Sequence, residues 1–261
     1  MAEYLTFKLW EGTVPHDTPD LPMANEMRFY SAGEGKRPCL LVLPGGGYVH
    51  CNPDGHEGAA IAEYFTAEGF HAAVLTYRLA PHRYPAALSD AQRGMRILRA
   101  HADALGIISD KIAAIGFSAG GNLAASLAVL PDEARIGDAL DDYSPRPNAC
   151  VLCYPAIDLH DPRIASGRSL FGEKLPENVE EFSLQNRVTD KTAPTFFFHT
   201  SDDPGVSVKH SLVYAAALRD HGVPFEMHIY PHGKHGVGLA KDMPDVSGWA
   251  PLAVAWLRRT L

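Results

Sequence analysis

Short apolar runs alternate with segments of helical periodicity along most of the chain. The runs are rich in β-branched, aromatic and alanine residues and predict buried strands, whereas the segments between them predict helices. The predicted strands are 26–30, 38–43, 71–77, 111–115, 150–154, 194–199 and 225–230. The predicted helices are 58–68, 86–104, 121–128, 208–221 and 248–261. Apolar strands that alternate with helices are typical of a mostly parallel central sheet covered by helices on both faces, so we expect the α/β class.

The domain organisation follows from the same pattern. No repeat, low-complexity stretch or linker divides the 261 residues, so we expect one domain over 1–261. Residues 158–191 interrupt the alternation with polar turns, at Asp161–Pro162 and elsewhere, and with a short acidic helical stretch at 177–182. Long connections at the carboxyl end of a sheet commonly form binding loops and lids. We therefore expect a cap-like connection around 158–191, with a solvated surface loop as the alternative.

One motif joins a predicted strand to a predicted helix. Gly116-Phe117-Ser118-Ala119-Gly120 has the form G-x-S-x-G, which in this context predicts the nucleophile elbow of an α/β-hydrolase. A side chain at Gly116 or Gly120 would collide with neighbouring backbone. Ser118 is therefore the candidate nucleophile. The alternative is an ordinary serine in a glycine-rich turn.

A serine nucleophile needs a base to accept its proton and an acid to orient that base. In this fold the order along the chain is nucleophile, acid, histidine. The strand that ends at residue 199 leads into Asp202 and Asp203, and two adjacent carboxylates cannot both face one imidazole. The last strand leads into a loop with two histidines, His232 and His235. The residues alone leave both choices open.

Backbone N–H groups are the expected donors to the oxyanion. Ala119 directly follows the nucleophile, and the glycine-rich loop that contains Gly46 and Gly47 follows the second predicted strand. Tyr48 comes next and is either a core residue or a wall of the acyl pocket, which makes it the candidate substrate-binding residue. The loop does not match a phosphate-binding motif, because no G-K-S or G-K-T follows it.

Composition and charge narrow the function classes. The chain is 46% hydrophobic and 21% charged, as is usual for a globular enzyme. A formal charge of -8 without clustered Lys and Arg argues against nucleic-acid binding. No apolar run is long enough for a transmembrane helix, and we expect no membrane partner. The N-terminus lacks the pattern of a signal peptide, which favours a cytoplasmic location. No residue pattern indicates an oligomeric state.

Cysteine usage gives no sign of a metal site. Cys150 and Cys153 form a C-x-x-C motif inside a predicted strand, where residues three apart point to opposite faces. No second pair completes a zinc site, so we expect buried thiols, no metal and no cofactor.

Taken together, these motifs resemble the esterase branch related to hormone-sensitive lipase. More closely, the chain is similar to small bacterial acetyl esterases, often described as acetylxylan-esterase-like α/β-hydrolases. The matching stretches are 44–48, 77–79, 116–124, 199–206 and 232–236. The resemblance implies that Asp203 is the acid and that His235 is the base. Pro44 stands where the larger lipase-like relatives carry a histidine, which weakens any transfer of their substrates.

The resemblance implies a serine carboxylesterase that acts on short acyl esters, above all acetyl groups on sugars or xylo-oligosaccharides. In that reading Ser118 attacks, His235 moves the proton, and Asp203 orients His235. The substrate partner is then a small-molecule ester, an acetylated carbohydrate. An arylformamidase or peptidase of the same fold is the main alternative. A third possibility is a non-catalytic ligand-binding homologue, against which the intact candidate triad argues.

Overall fold

A computed structural model describes residues 3–21, 26–161, 163–173, 175–177 and 179–261. The strands in these ranges are β1 Leu5–Lys8, β2 Glu26–Tyr30, β3 Arg37–Leu43, β4 His71–Thr76, β5 Ile107–Phe117, β6 Ala149–Cys153, β7 Thr195–Thr200 and β8 Phe225–Tyr230. The helices are α1 Ala59–Ala67, α2 Ala86–Ala100, α3 Ala102–Leu105, α4 Ala119–Val129, α5 Ser166–Phe171, α6 Lys209–Asp220 and α7 Trp249–Thr260.

The strands form one eight-stranded sheet in the order β1-β2-β4-β3-β5-β6-β7-β8. The pairs from β4 through β3 to β8 are all parallel, whereas β2 runs antiparallel to both β1 and β4. The carboxyl ends of β3, β5, β7 and β8 therefore lie along one edge of the sheet. This mostly parallel α/β sheet confirms the predicted fold class.

The sheet has a separate hydrophobic core on each face. Helices α2, α4 and α6 pack on one face, and α1 and α7 pack on the other. Successive side chains of a strand point to opposite faces, so Leu41 and Leu43 enter the first core while Leu40 and Val42 enter the second. Burial on both faces explains why the strands read as continuous apolar runs.

Some elements differ from the predicted ones. Strand β1 was not predicted, because it is a short edge strand that is mostly exposed and has little apolar pattern. The predicted helix 86–104 is two helices, which meet at His101. Helix α5 was also not predicted, and within the predicted acidic stretch 177–182 a 3-10 turn forms at Val179–Phe182. Pro162 and Asn178, which belong to the predicted turn and acidic stretch, lie outside the described residues.

In the described part of the chain, no helix combines the length and the apolar character that crossing a membrane requires.

Candidate active site

The turn between β5 and α4 places Ser118 at the carboxyl edge of the sheet. Ser118 has φ +52° and ψ -115°, a strained conformation for a residue with a side chain. A Cβ atom on Gly116 would lie 2.1 Å from the Gly120 carbonyl oxygen, and one on Gly120 would lie 2.1 Å from the Leu43 carbonyl oxygen. Both glycines are therefore required by close backbone approach, as the sequence predicted.

The structure brings Ser118, His235 and Asp203 together in one hydrogen-bonded chain. Ser118 Oγ donates to His235 Nε2 at 2.8 Å. His235 Nδ1 donates to Asp203 Oδ2 at 2.9 Å. Asp203 follows β7 and His235 follows β8, and these two strands are neighbours in the sheet. The imidazole is thus held in the orientation that general-base chemistry at Ser118 requires.

Asp203 is a buried carboxylate whose lost contacts with water are replaced by hydrogen bonds from the protein. Its side chain is only 1% exposed, and the backbone N–H groups of Gly205 and Val206 donate to Oδ1 at 2.7 and 2.9 Å. Burial raises the pKa of Asp203, but the hydrogen bonds from His235 and from these N–H groups outweigh burial and lower it overall. The carboxylate therefore stays ionised and can stabilise a positive charge on His235.

The neighbouring Asp202 and His232 form a separate pair on the surface. His232 Nδ1 donates to Asp202 Oδ2 at 2.9 Å, and the Gly233 N–H donates to Oδ1 at 2.8 Å. The His232 side chain is 85% exposed, compared with 25% for His235. This pair closes the turn between the two loops and does not contact Ser118.

The glycine loop after β3 approaches Ser118 from the opposite side. Gly46 and Gly47 both have positive φ, +132° and +64°, which turns the backbone of this loop sharply. Among the described residues, no acceptor is bonded to the N–H groups of Gly46, Gly47 or Ala119. Ala119 is the first residue of α4, so its N–H lies at the positive end of the helix dipole. These groups are free to bind a developing negative charge.

Tyr48 lies away from the open cleft. Its side chain is buried, its Oη donates to Asn122 Oδ1 at 2.8 Å, and its ring packs edge-on against Tyr77. It lines a small, mostly apolar cavity of about 20 Å³, together with Tyr84 and Phe171. Contact between Tyr48 and an acyl group stays a prediction.

A cleft of about 730 Å³ opens above Ser118 and His235. Its rim carries exposed polar side chains, namely His50, Asn52, His56 and Arg163. Arg163 belongs to the 158–191 segment, which is anchored to α6 because the buried His210 accepts from the Asp158 N–H and donates to Asp161. The cleft is therefore walled partly by the glycine loop after β3 and partly by the long connection.

Two further buried groups escaped the sequence analysis. His199, at the end of β7, lies 3.6 Å from Asp203 Oδ2, and a histidine inside a run of apolar residues was a signal that could have drawn attention to it. Glu57, in the wall of the cleft, accepts hydrogen bonds from Gly45 and Tyr154, and nothing in its sequence surroundings distinguished it from a surface carboxylate.

Within the described ranges, no group of three or more His, Cys, Asp or Glu side chains is arranged to hold a metal ion.

The sheet order, the strained elbow and the loop positions define the class of the protein as an α/β-hydrolase with a serine at the elbow. The sequence profile of the BD-FAE family matches residues 27–218, and the chain belongs to this family.

Relatives agree with this assignment. The chain is 37% identical to endo-1,4-beta-xylanase B of Butyrivibrio fibrisolvens over 82% of its length and 34% of the relative. It is 30% identical to acetylxylan esterase of Xylanibacter ruminicola over 77% of its length and 41% of the relative. The chain thus spans only about a third to two fifths of these curated relatives.

Among solved structures, the chain resembles the acetyl ester-xyloside bifunctional hydrolase of Caldicellulosiruptor lactoaceticus. The TM-score is 0.93 at 38% identity, and the match covers 99% of this chain and 97% of the other. Here the similarity extends over nearly the whole of both chains.

Proposed function

We propose that this protein is a serine carboxylesterase that removes short acyl groups, above all acetyl, from sugars or xylo-oligosaccharides. The observation that carries the proposal is the hydrogen-bonded chain from Ser118 through His235 to Asp203 at the floor of an open cleft. This arrangement favours nucleophilic attack on a carbonyl rather than simple ligand binding.

The proposed reaction has two stages. As Ser118 Oγ attacks the acyl carbon, His235 Nε2 takes its proton and Asp203 stabilises the imidazolium. The N–H groups of Gly46, Gly47 and Ala119 bind the oxyanion of the tetrahedral intermediate. The intermediate collapses to an acyl-enzyme, and the alcohol leaves with the proton from His235. In the second stage His235 takes a proton from water as the water attacks the acyl-enzyme. A second tetrahedral intermediate collapses, the acid leaves, and His235 returns the proton to Ser118 Oγ.

The choice of an acetylated carbohydrate rests on the relatives and on the cleft. Relatives of this chain are named as an acetylxylan esterase and as an acetyl ester-xyloside hydrolase. The rim of the cleft carries the hydrogen-bonding groups of His50, Asn52 and Arg163, which suit the hydroxyl groups of a sugar better than a lipid chain.

Two further proposals concern the whole chain. The described residues form one sheet with a core on each face, which supports a single α/β-hydrolase domain with residues 158–191 as its cap-like connection. All four cysteines are free thiols, which supports the reducing environment of the cytoplasm.

The test combines a covalent probe with a substrate panel. A fluorophosphonate probe should label the wild-type protein and not Ser118→Ala, and Ser118→Ala should lose on the order of 10⁴-fold or more in kcat on p-nitrophenyl acetate. Activity of this variant within tenfold of the wild type would refute the assigned nucleophile.

The panel separates the competing substrates. Acetylated xylo-oligosaccharides, N-formylkynurenine and an alanyl p-nitroanilide represent the esterase, formamidase and peptidase readings, and we expect the highest kcat/KM on the acetylated sugars. A higher kcat/KM on the formamide or the anilide would overturn the esterase proposal while leaving the serine-hydrolase chemistry intact. Absence of probe labelling and of activity on every substrate would favour the non-catalytic alternative.

A further inference from the structure

A largely buried carboxylate lies in the wall of the cleft, outside the triad. Glu57 immediately precedes the N-cap of α1 and is only 9% exposed. Removing a carboxylate from water is costly unless hydrogen bonds replace the lost solvation. Glu57 has such bonds at both of its oxygens, and each bond leads to a different loop of the candidate active site.

The first oxygen of Glu57 holds the glycine loop after β3, residues 44–48, which is called the oxyanion loop below. The Gly45 N–H donates to Glu57 Oε2 at 2.9 Å, one residue before Gly46. A Cβ atom on Gly45 would lie 2.7 Å from this oxygen and 3.2 Å from Ser118 Cβ. Gly45 is therefore enclosed between Glu57 and the nucleophile, so the carboxylate fixes the distance of the loop from the elbow.

The second oxygen of Glu57 is linked through Tyr154 to the loop after β8, which carries His235 and is called the His235 loop below. Tyr154 Oη donates to Glu57 Oε1 at 2.6 Å and accepts from the Gly238 N–H at 3.0 Å. The Tyr154 ring also packs edge-on against the His235 imidazole, with 5.0 Å between the ring centroids. The Gly238 carbonyl accepts from the indole of Trp249, which ties the same loop to α7.

We propose that Glu57 is a positioning residue that sets the oxyanion loop and the His235 loop relative to each other. The proposal rests on the proposed esterase function. A carboxylate suits this task because it accepts hydrogen bonds at two oxygens in a fixed geometry and donates none. Its negative charge would itself disfavour an oxyanion nearby, so its contribution is to geometry and not to the electrostatics of the transition state.

Two variants test the link. In Glu57→Gln, the amide oxygen can still accept from Gly45, but the Tyr154 hydroxyl loses the acceptor for its proton and can only accept from the amide nitrogen. Tyr154→Phe removes the same link from the other side and keeps the ring against His235. We expect each to lower kcat on p-nitrophenyl acetate roughly 10- to 100-fold, since small errors in catalytic geometry have effects of that order. KM should stay within about threefold.

The rate is expressed per active site titrated with the fluorophosphonate probe, so that misfolded molecules do not count. The double variant should lose no more than about threefold beyond the worse single variant, because both changes break one link. Asp132→Asn is the control: it disturbs an ion pair with the buried Arg96, so it should lower Tm and leave kcat per titrated site unchanged.

The outcomes are distinct. A kcat per titrated site within twofold of the wild type in Tyr154→Phe would overturn the proposal, even if Glu57→Gln failed to fold. Losses that multiply in the double variant would also overturn it, because the two groups would then act separately. Loss of probe labelling in the wild type would instead refute the proposed function on which the inference rests.

Discussion

At the scale of single residues, the structure distinguishes two aspartates and two histidines whose members look equivalent in the sequence. Asp202 and Asp203 are neighbours, and His232 and His235 lie in the same loop. Asp203 and His235 point inward to Ser118, whereas Asp202 and His232 bond to each other near the surface. Such an exposed pair contributes little to stability, because water competes for both partners.

This difference predicts contrasting effects of the same substitution. Asp203→Asn should lower kcat/KM on p-nitrophenyl acetate by on the order of 10³- to 10⁴-fold, because the amide can no longer hold the His235 tautomer or stabilise the imidazolium. Asp202→Asn is the matched control and should stay within about threefold. In the same way, His235→Ala should be inactive and His232→Ala should not. The reverse ranking in either pair would show that the catalytic roles are assigned to the wrong residues.

The residue pattern alone left two candidates each for the acid and the base, and only the resemblance to acetyl esterases indicated Asp203 and His235. Strand ends identified the two loops, because the carboxyl edge of a parallel sheet collects such side chains. The direction of each side chain depends on loop backbone, which leaves no periodic signal. The burial of Glu57 could not be predicted from the sequence, because its partners Gly45 and Tyr154 lie far from it along the chain and carry no charge.

At the scale of elements, the apolar strands were predictable and the long connection was not. Strands β3 to β7 are buried on both faces over most of their length, so each appears as an apolar run in the sequence. Helix α5 has only six residues and depends on packing against the rest of the protein, so its own sequence gives a weak signal.

The arrangement of these elements predicts a preference for short acyl chains. An acyl group that enters the apolar cavity lined by Tyr48 finds a volume of only about 20 Å³, which is too small for an octanoyl chain. A pocket that buried the extra methylenes would gain about 0.8 kcal/mol for each one. We therefore expect kcat/KM on p-nitrophenyl acetate to exceed that on the octanoate by about tenfold or more.

Two variants at one position test the reason for this preference. Tyr48→Ala removes the ring and should shift the optimum toward butanoate or hexanoate. Tyr48→Phe loses only the hydrogen bond to Asn122 and should keep the acetate preference. A wild-type protein that prefers octanoate would contradict the acetyl-esterase proposal, although its serine chemistry would stand.

At the scale of the whole molecule, the buried polar residue His199 links the core of the protein to the candidate active site. His199 joins β7 to α6 and to the acid loop: Ser211 Oγ donates to its Nδ1 at 2.8 Å, and its Nε2 donates to the Val206 carbonyl at 2.9 Å. These bonds use the neutral imidazole, with one nitrogen as acceptor and the other as donor. Protonation would place a second hydrogen against Ser211 and a charge in the core.

This buried histidine makes the stability of the fold depend on pH. Burial lowers the pKa of His199 to about 4, whereas in the unfolded chain a histidine has a pKa of about 6.5. Between these values the unfolded state binds more protons, so the stabilisation is complete above about pH 6.5 and is lost as the pH falls toward 4. His199 alone should lower the free energy of unfolding by roughly 2 kcal/mol as the pH falls from 7 to 5.

Urea unfolding at several pH values across this range measures how steeply the free energy of unfolding changes with pH. His199→Gln can keep both hydrogen bonds without titrating and should flatten the slope by up to one proton, even if its overall stability is lower. An unaltered slope in His199→Gln would mean that other groups, such as His71 and His210, whose pKa values burial also lowers, carry the whole pH dependence.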